Sequence, residues 1–182
     1  MKTQLNLANK ITLLRIILVP VFLFFLLTKI NYGAYIAVAI FVIAISTDGL
    51  DGYIARTRNQ ITKLGKLMDP LADKLLISSA LIALVEMGKL PAWIAIIIIG
   101  REFAIMGLRV LAASEGIIIS ASKLGKIKTV TQTISIITLL MNNYPFSLVN
   151  FPFGTISTIV AVFFTILSGI DYFYKNIDIV YS

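Results

Sequence analysis

Cysteine and histidine are both absent from this chain of 182 residues. Without cysteine there can be no disulfide, no thiolate nucleophile and no metal site built on sulfur. Without histidine, the commonest neutral general base and the usual zinc ligand are missing as well. Any bound metal must therefore be held by oxygen atoms, which favours hard cations such as Mg²⁺ or Mn²⁺.

Charged residues are scarce, making up 14% of the chain against 58% for hydrophobic residues. A soluble domain carries about 25% charged residues, and here the mean hydropathy is +0.94. Several apolar runs approach the roughly 20 residues needed to cross a bilayer. The composition predicts an integral membrane protein. The formal net charge of +7 is then explained by basic loops facing anionic lipid, rather than by a nucleic-acid partner.

The apolar runs predict an all-α, polytopic membrane protein with six transmembrane helices, in a single domain covering residues 1–182. We expect the spans at residues 11–27, 35–46, 70–85, 93–113, 129–141 and 153–170. The short second span is expected to continue as a helix through residues 48–56. The third is expected to begin at Asp69–Pro70, because proline is tolerated in the first turn of a helix.

Basic residues are distributed unevenly between the two predicted sides of the membrane. One side collects both termini and the basic connections at residues 57–66 and 116–128. The other side carries only Lys29 and Lys89 out of the 16 basic residues. By the positive-inside rule the first side is cytoplasmic. We therefore expect a multi-pass protein of the cell membrane, with the N- and C-termini in the cytoplasm.

Four aspartates lie within residues 48–73 of a chain that is otherwise mostly hydrocarbon. They form two pairs with helical spacing, Asp48 with Asp51 and Asp69 with Asp73. Residues three or four apart share one face of a helix. Each aspartate at mid-membrane depth costs about 2.5–3.5 kcal/mol, and clustered carboxylates repel one another unless a divalent cation compensates. We expect the four aspartates to bind a pair of Mg²⁺ or Mn²⁺ ions that assists phosphoryl transfer.

The residues between the aspartates suit a phosphorylated nucleotide. Gly52 and Ala55 leave little side chain beside the first pair, and Arg56 is placed to meet a phosphate. Asp73 lies deepest in its helix and is the candidate general base for an attacking hydroxyl. The aspartates could instead cap helices or pair with Arg56 and Lys74, but that explains neither their clustering nor the small residues. An EF-hand is excluded, because its loop needs acids at alternate positions and a glutamate at the twelfth.

This spacing, D-x2-D-G-x2-A-R-x8-G-x3-D-x3-D, resembles the signature of the CDP-alcohol phosphatidyltransferase family. The eight fixed positions are matched by Asp48, Asp51, Gly52, Ala55, Arg56, Gly65, Asp69 and Asp73. The resemblance implies a six-helix membrane fold, a homodimer and an active site that opens to the cytoplasm. It also implies that the first three aspartates bind metal, and that Asp73 is the general base with a further metal contact.

The resemblance also implies a set of residues that bind CDP. Within the motif, these residues are Gly52, Ala55, Arg56 and Gly65. A second pattern common in the family, N-x2-T-x2-R, is present near the N-terminus as Asn9, Thr12 and Arg15. Because this pattern lies beside the same predicted interface, we expect Asn9 and Thr12 to contribute to the CDP site.

Basic residues in and after the fourth span are candidates for binding the acceptor. An arginine deep in a span is a functional-site hypothesis by default. We expect an anion pocket, suited to an acceptor that carries its own phosphate, formed by Arg101, Arg109, Lys123, Lys126 and Lys128. Two alternatives stay open. Arg101 and Glu102 could pair with neighbours as structural glue, and the lysines could simply follow the positive-inside rule.

The chain as a whole is similar to bacterial family members that use sn-glycerol 3-phosphate as the acceptor. The implied reaction converts CDP-diacylglycerol and sn-glycerol 3-phosphate into phosphatidylglycerophosphate and CMP, while the acyl chains stay in the membrane lipid. Other acceptors in the family stay open, namely inositol phosphate, serine or phosphatidylglycerol. Outside the family, the alternative is a divalent-cation transporter. Transporter sites usually lie near the midplane of the membrane and often at repeat interfaces. We disfavour this alternative because the aspartates here are expected near one end of their spans and the sequence has no visible internal repeat.

Overall fold

The computed structural model of the protein describes residues 7–28, 30–57, 63–117, 119–120 and 122–177, without the side chains of 7–8, 48–57, 63–67 and 69. These residues form α1 (Leu7–Leu27), α2 (Gly33–Thr57), α3 (Lys63–Glu86), α4 (Ala92–Ser114), α5 (Lys123–Leu140) and α6 (Phe153–Lys175). A short 3₁₀ helix, Phe146–Val149, lies between α5 and α6. Within the described ranges there is no β-strand, so the all-α prediction is confirmed.

Helix α2 continues beyond its apolar part, as predicted, and includes the first pair of aspartates. The polar residues just before that pair are accommodated by the helix itself. The Ser46 hydroxyl donates to the carbonyl of Val42 at 2.8 Å, and the Thr47 hydroxyl donates to that of Ala44 at 2.8 Å. Because both hydroxyls bond within their own helix, the chain can leave the apolar part without a break in α2.

Helix α3 begins at Lys63, so the prediction that it starts at Asp69–Pro70 is wrong. Pro70 is an interior residue of this helix. A proline lacks its own N–H, so the bond that an N–H at this position would donate to the carbonyl of Lys66 is absent. The predicted connection at residues 57–66 is correspondingly shorter, because helix takes up both of its ends.

Helices α5 and α6 also take up segments that the sequence predicted as a connection or a tail. Helix α5 begins at Lys123, so all three lysines of the predicted 116–128 connection lie in its first turns. Helix α6 continues to Lys175 instead of ending near residue 170. An ion pair of 2.6 Å between Lys175 and Asp171, four residues apart, supports this last turn.

The chain divides into two compact units, Met1–Ala83 and Leu84–Ser182. In the first unit, α1 packs along α2. The rings of Phe22 and Phe41 are fully buried there, with centroids 5.7 Å apart. Gly33 opens α2 where a Cβ would lie 2.5 Å from the carbonyl oxygen of Phe25. Only glycine allows so close an approach of the two backbones.

In the second unit, α6 packs against both α5 and α4. The α5–α6 contact is built from small and hydroxylated residues. Ser135 and Thr158 share a hydrogen bond of 2.8 Å, and a Cβ on Gly154 would lie 3.3 Å from the Leu139 side chain. Small residues with hydrogen bonds across the interface are typical of helices that pack in membranes.

Two described segments are long and apolar enough to cross a membrane, Asn9–Leu27 and Phe153–Lys175. A third apolar segment, Gly33–Thr47, is shorter. Both long segments expose large apolar side chains, including Phe24 at 57% and Phe163 at 57%. Exposed apolar surface of this kind suits a lipid environment.

Candidate active site

The four motif aspartates lie in two helices, one pair in each. Asp48 and Asp51 lie near the end of α2, and Asp69 and Asp73 lie in the first half of α3. The predicted helical spacing of both pairs is therefore confirmed. The side chains of the first three aspartates lie outside the described residues, so their binding of metal stays a prediction. The same applies to the predicted CDP-site residues of the motif, namely Gly52, Ala55, Arg56 and Gly65.

Asp73 is the motif aspartate whose side chain the structure describes. Its carboxylate accepts a hydrogen bond of 3.2 Å from the Nζ of Lys74. About a third of the Asp73 side chain is exposed, at 32%. The contact resembles the pairing considered above as the alternative to a metal site. It occupies a single carboxylate oxygen, however, so the other oxygen can still serve a metal ion or a substrate hydroxyl.

The N-terminal motif forms a buried polar stripe on α1. Asn9, Thr12 and Arg15 are spaced by three residues, and they are 6%, 1% and 1% exposed. Each of them has an interaction partner. Buried polar groups in an apolar helix are costly unless they are paired, so this face of α1 is turned toward protein rather than lipid. The stripe is where the sequence placed two CDP-binding residues, and that role stays a prediction.

A buried charge cluster lies between α4 and α5. Arg101 Nη1 donates to Glu102 Oε1 at 3.0 Å, and the Nζ of Lys128 donates to the same oxygen. Glu102 and Lys128 are 5% and 3% exposed. We call Arg101, Glu102 and Lys128 the Glu102 cluster. These three side chains by themselves, one acid and two bases, carry a formal charge of +1, which suits a site for an anion.

Arg101 has room and spare donors within the Glu102 cluster. A Cβ on Gly169 would lie 3.4 Å from the Cγ of Arg101, and a Cβ on Gly125 would lie 4.0 Å from its Nη2. Its buried Nε makes no hydrogen bond to any described residue. The Nε–Nη2 edge of a guanidinium is the fork that binds a phosphate or carboxylate through two parallel bonds. The cluster therefore leaves that edge available to an anion.

The local sequence fixes the position of Lys128 in this cluster. Ser122 caps the N-terminus of α5, and its hydroxyl oxygen accepts from the N–H of Gly125 at 3.0 Å. A capped start at this residue sets the register of the helix. Lys128 then lies in the second turn of α5, where it is buried. Lys123 and Lys126 lie on the exposed surface of the same turns.

Arg109 is held separately, against α6. Its Nε donates to the hydroxyl of Tyr172 at 2.7 Å, and its guanidinium carbon lies 5.4 Å from the centre of the Tyr172 ring. Tyr172 is 3% exposed and belongs to a core cluster with Ile105 and Leu108. The structure thus joins Arg101 and Lys128 through Glu102, but it holds Arg109 on a different partner.

Three residues of this region were not among the predicted binding residues. Glu102, considered in the sequence only as a pairing group, is the anion that organises the cluster. Tyr172 and Gln132 were not singled out at all. Gln132 did carry a signal, since it is a large polar residue four positions after Lys128 within a predicted span. Tyr172 carried none, because its contact with Arg109 joins residues 63 positions apart.

Comparison with known proteins matches residues 5–167 to the CDP-alcohol phosphatidyltransferase family. The chain belongs to this family. A Bacillus subtilis relative, named CDP-diacylglycerol–glycerol-3-phosphate 3-phosphatidyltransferase, is 50% identical over 94% of this chain and 95% of its own length. A relative of the same name from Rickettsia felis is 33% identical over 95% of this chain and 96% of its own. As a CDP-alcohol phosphatidyltransferase with long apolar helices, the chain is a membrane protein.

Proposed function

We propose that this CDP-alcohol phosphatidyltransferase transfers the phosphatidyl group of CDP-diacylglycerol to sn-glycerol 3-phosphate. The products are phosphatidylglycerophosphate and CMP, and the reaction is a step of phospholipid biosynthesis. The observation that carries this proposal is the 50% identity to the Bacillus subtilis enzyme along nearly the whole of both chains. The name of that enzyme specifies both the donor and the acceptor.

The proposed setting is the cell membrane. We propose six spans, N- and C-termini in the cytoplasm, a cytoplasmic active site and a homodimer. Two observations support this topology. Two described helices are long and apolar enough to cross, and the basic residues are strongly biased to one predicted side, which the positive-inside rule makes cytoplasmic.

On the donor side, we propose that Asp48, Asp51, Asp69 and Asp73 hold two Mg²⁺ or Mn²⁺ ions. The donor set fits such ions, because it consists of carboxylate oxygens and the chain has neither histidine nor cysteine. Bound metal would neutralise charge on the phosphates as the leaving group departs. The CDP group would be bound by the remaining motif residues and the N-terminal stripe, namely Asn9, Thr12, Gly52, Ala55, Arg56 and Gly65.

The bond changes follow from the substrates. The primary hydroxyl oxygen of the acceptor bonds to the phosphorus that carries diacylglycerol, and the bond from that phosphorus to the oxygen bridging to CMP breaks. CMP leaves with the bond's electron pair. Asp73 accepts the proton of the attacking hydroxyl. The partly exposed carboxylate of Asp73, with one oxygen uncommitted to Lys74, supports this role.

On the acceptor side, we propose that Arg101 binds the phosphate of sn-glycerol 3-phosphate through its Nε–Nη2 edge. Glu102 fixes the guanidinium from the opposite side by accepting from Nη1. Lys128 adds positive charge beside it. The exposed Arg109, Lys123 and Lys126 contribute a weaker, screened attraction for the anionic acceptor.

A panel of acceptors offered to the purified protein with CDP-diacylglycerol and Mg²⁺ tests the proposal. We expect CMP release with sn-glycerol 3-phosphate, and little with inositol phosphate, serine or phosphatidylglycerol. The Asp69→Asn variant should abolish CMP release. Asp171→Asn is the matched control, since this aspartate lies outside the motif, and it should retain activity. Asp69→Asn activity equal to that of the control would contradict the metal assignment, and divalent-ion uptake into vesicles without CMP release would favour a transporter.

A further inference from the structure

Gln132 is a buried side chain whose hydrogen-bonding capacity is unused. It lies in α5 and is 2% exposed. Within the described residues, neither Oε1 nor Nε2 of its amide has a hydrogen-bond partner. The other buried polar side chains of this unit all form hydrogen bonds, namely Glu102, Lys128, Ser135, Thr138, Ser157, Thr158, Thr165 and Ser168.

Such an exception needs a physical explanation. Leaving a buried donor or acceptor unpaired costs the desolvation of that group, and Gln132 carries both kinds. If this glutamine served only helix packing, we would expect it to bond a neighbouring group, as Ser135 does with Thr158 at 2.8 Å. The unused amide is instead suited to a group that enters from outside the chain.

The position of Gln132 indicates which group that is. It follows Lys128 by four residues on α5, so the two share one face and are separated by one helical turn of about 5.4 Å. Lys128 contacts Glu102, the neighbour of Arg101. The distance from the Glu102 cluster to Gln132 is therefore on the order of one helical turn. A molecule whose phosphate is bound at the cluster could reach Gln132 with a three-carbon chain.

We propose that Gln132 binds the C2 hydroxyl of the acceptor and so selects glycerol phosphate among phosphorylated alcohols. This proposal rests on the proposed function above. A hydroxyl both donates and accepts, and a primary amide offers one group of each kind, so the pair satisfies both atoms of Gln132. The C2 hydroxyl takes no part in the bond changes. Gln132 is therefore a specificity-determining residue that leaves the chemistry to other groups.

The test compares two acceptors on two proteins. 3-Hydroxypropyl phosphate has the phosphate and the primary hydroxyl of sn-glycerol 3-phosphate but lacks the C2 hydroxyl. We expect Gln132→Met, which keeps the side-chain length without the amide, to lower kcat/KM for sn-glycerol 3-phosphate about tenfold or more. Its kcat/KM for 3-hydroxypropyl phosphate should stay within about twofold of wild type, and its KM for CDP-diacylglycerol should not change.

The outcomes separate specificity from structure. Equal losses on both acceptors, or no loss on either, would overturn the role of Gln132. Ser135→Ala is the matched control, because it removes a neighbouring buried hydrogen bond, and it should affect both acceptors alike. If Gln132→Met does not fold, Gln132→Leu takes its place with the same expectation, and equal use of the two acceptors by the wild-type protein would refute C2 recognition in either case. Failure of the wild-type protein to use sn-glycerol 3-phosphate at all would instead refute the proposed function.

Discussion

Arg101 and Arg109 lie eight residues apart on the same helix, but their surroundings differ. Arg101 is largely buried beside Glu102, between two glycines, with one edge of its guanidinium uncommitted. Arg109 is exposed and is held on the ring and hydroxyl of Tyr172. A buried charge next to an acid is strongly attracted and strictly oriented, whereas the partner of Arg109 is the uncharged side chain of Tyr172. We therefore expect the two arginines to differ greatly in how much they contribute to binding and stability.

The largest effect, a loss of stability, is expected on replacing Glu102, the acid that orients Arg101. Glu102→Gln keeps the shape of the side chain but leaves two buried cations, Arg101 and Lys128, without their shared carboxylate. Removing one partner of a buried ion pair costs about 3–5 kcal/mol. We expect a correspondingly lower thermal midpoint, measured by unfolding of the protein in detergent micelles.

The Lys128→Met variant is the control for this effect. It leaves Glu102 paired with Arg101, so it should destabilise less than Glu102→Gln. The double variant should be more stable than Glu102→Gln alone, because the second buried cation is then gone. A Glu102→Gln protein with the wild-type midpoint would show that the cluster contributes little to stability.

The next effect concerns binding, and it separates the arginines by geometry. Arg101→Lys keeps the charge but loses the fork that binds phosphate through two bonds. Losing such a charged hydrogen bond costs about 1.5–3 kcal/mol, so we expect kcat/KM for sn-glycerol 3-phosphate to fall roughly 10- to 100-fold. KM for CDP-diacylglycerol should change little. The matched Arg109→Lys variant should lose less than about threefold, and equal losses at the two positions would refute the distinction.

The aspartate pairs show what the sequence can predict. Their positions in α2 and α3 follow from helical periodicity, which is a local property of the chain. The family assignment likewise depends on spacing within 26 residues, and comparison confirmed it. The start of α3 differs from the prediction for a local reason too, because proline is typical of the first turn of a helix, whereas Pro70 lies inside α3.

The basic residues show where sequence reasoning stops. Nothing in the local pattern indicates that Lys128 reaches Glu102, 26 positions away, while Lys126 faces the surface. That outcome depends on how α5 packs in the unit, which is a long-range property. The unpaired amide of Gln132 could not be predicted either. Whether a buried amide has a hydrogen-bond partner depends on which groups the folded chain brings next to it.

A smaller effect is expected at the exposed arginine. Arg109→Gln removes a cation–π contact, worth about 0.5–1 kcal/mol at an exposed site, and a hydrogen bond to Tyr172. Tyr172→Phe removes the hydrogen bond alone. We expect Tyr172→Phe to lower stability by roughly 1 kcal/mol and Arg109→Gln by somewhat more. The two losses should be non-additive when combined, as measured by a double-mutant cycle in detergent. Strict additivity would mean that the 2.7 Å contact contributes nothing.

The smallest effect comes from a third environment, a half-buried lysine with no ion pair to any described carboxylate. Lys89 lies in the turn between α3 and α4, and burial lowers its pKa from the ordinary value of 10.5. The unfolded chain then binds more protons than the folded one at pH values between the lowered pKa and 10.5, so stability rises with pH across that window. Lys89→Met should be more stable than wild type at neutral pH, and this difference should shrink as the pH approaches 10.5. The measurement is the thermal midpoint of the two proteins from pH 7 to 10.5. A difference that grows with pH would contradict the prediction and show that Lys89 is stabilised by a charge partner, as Lys128 is by Glu102.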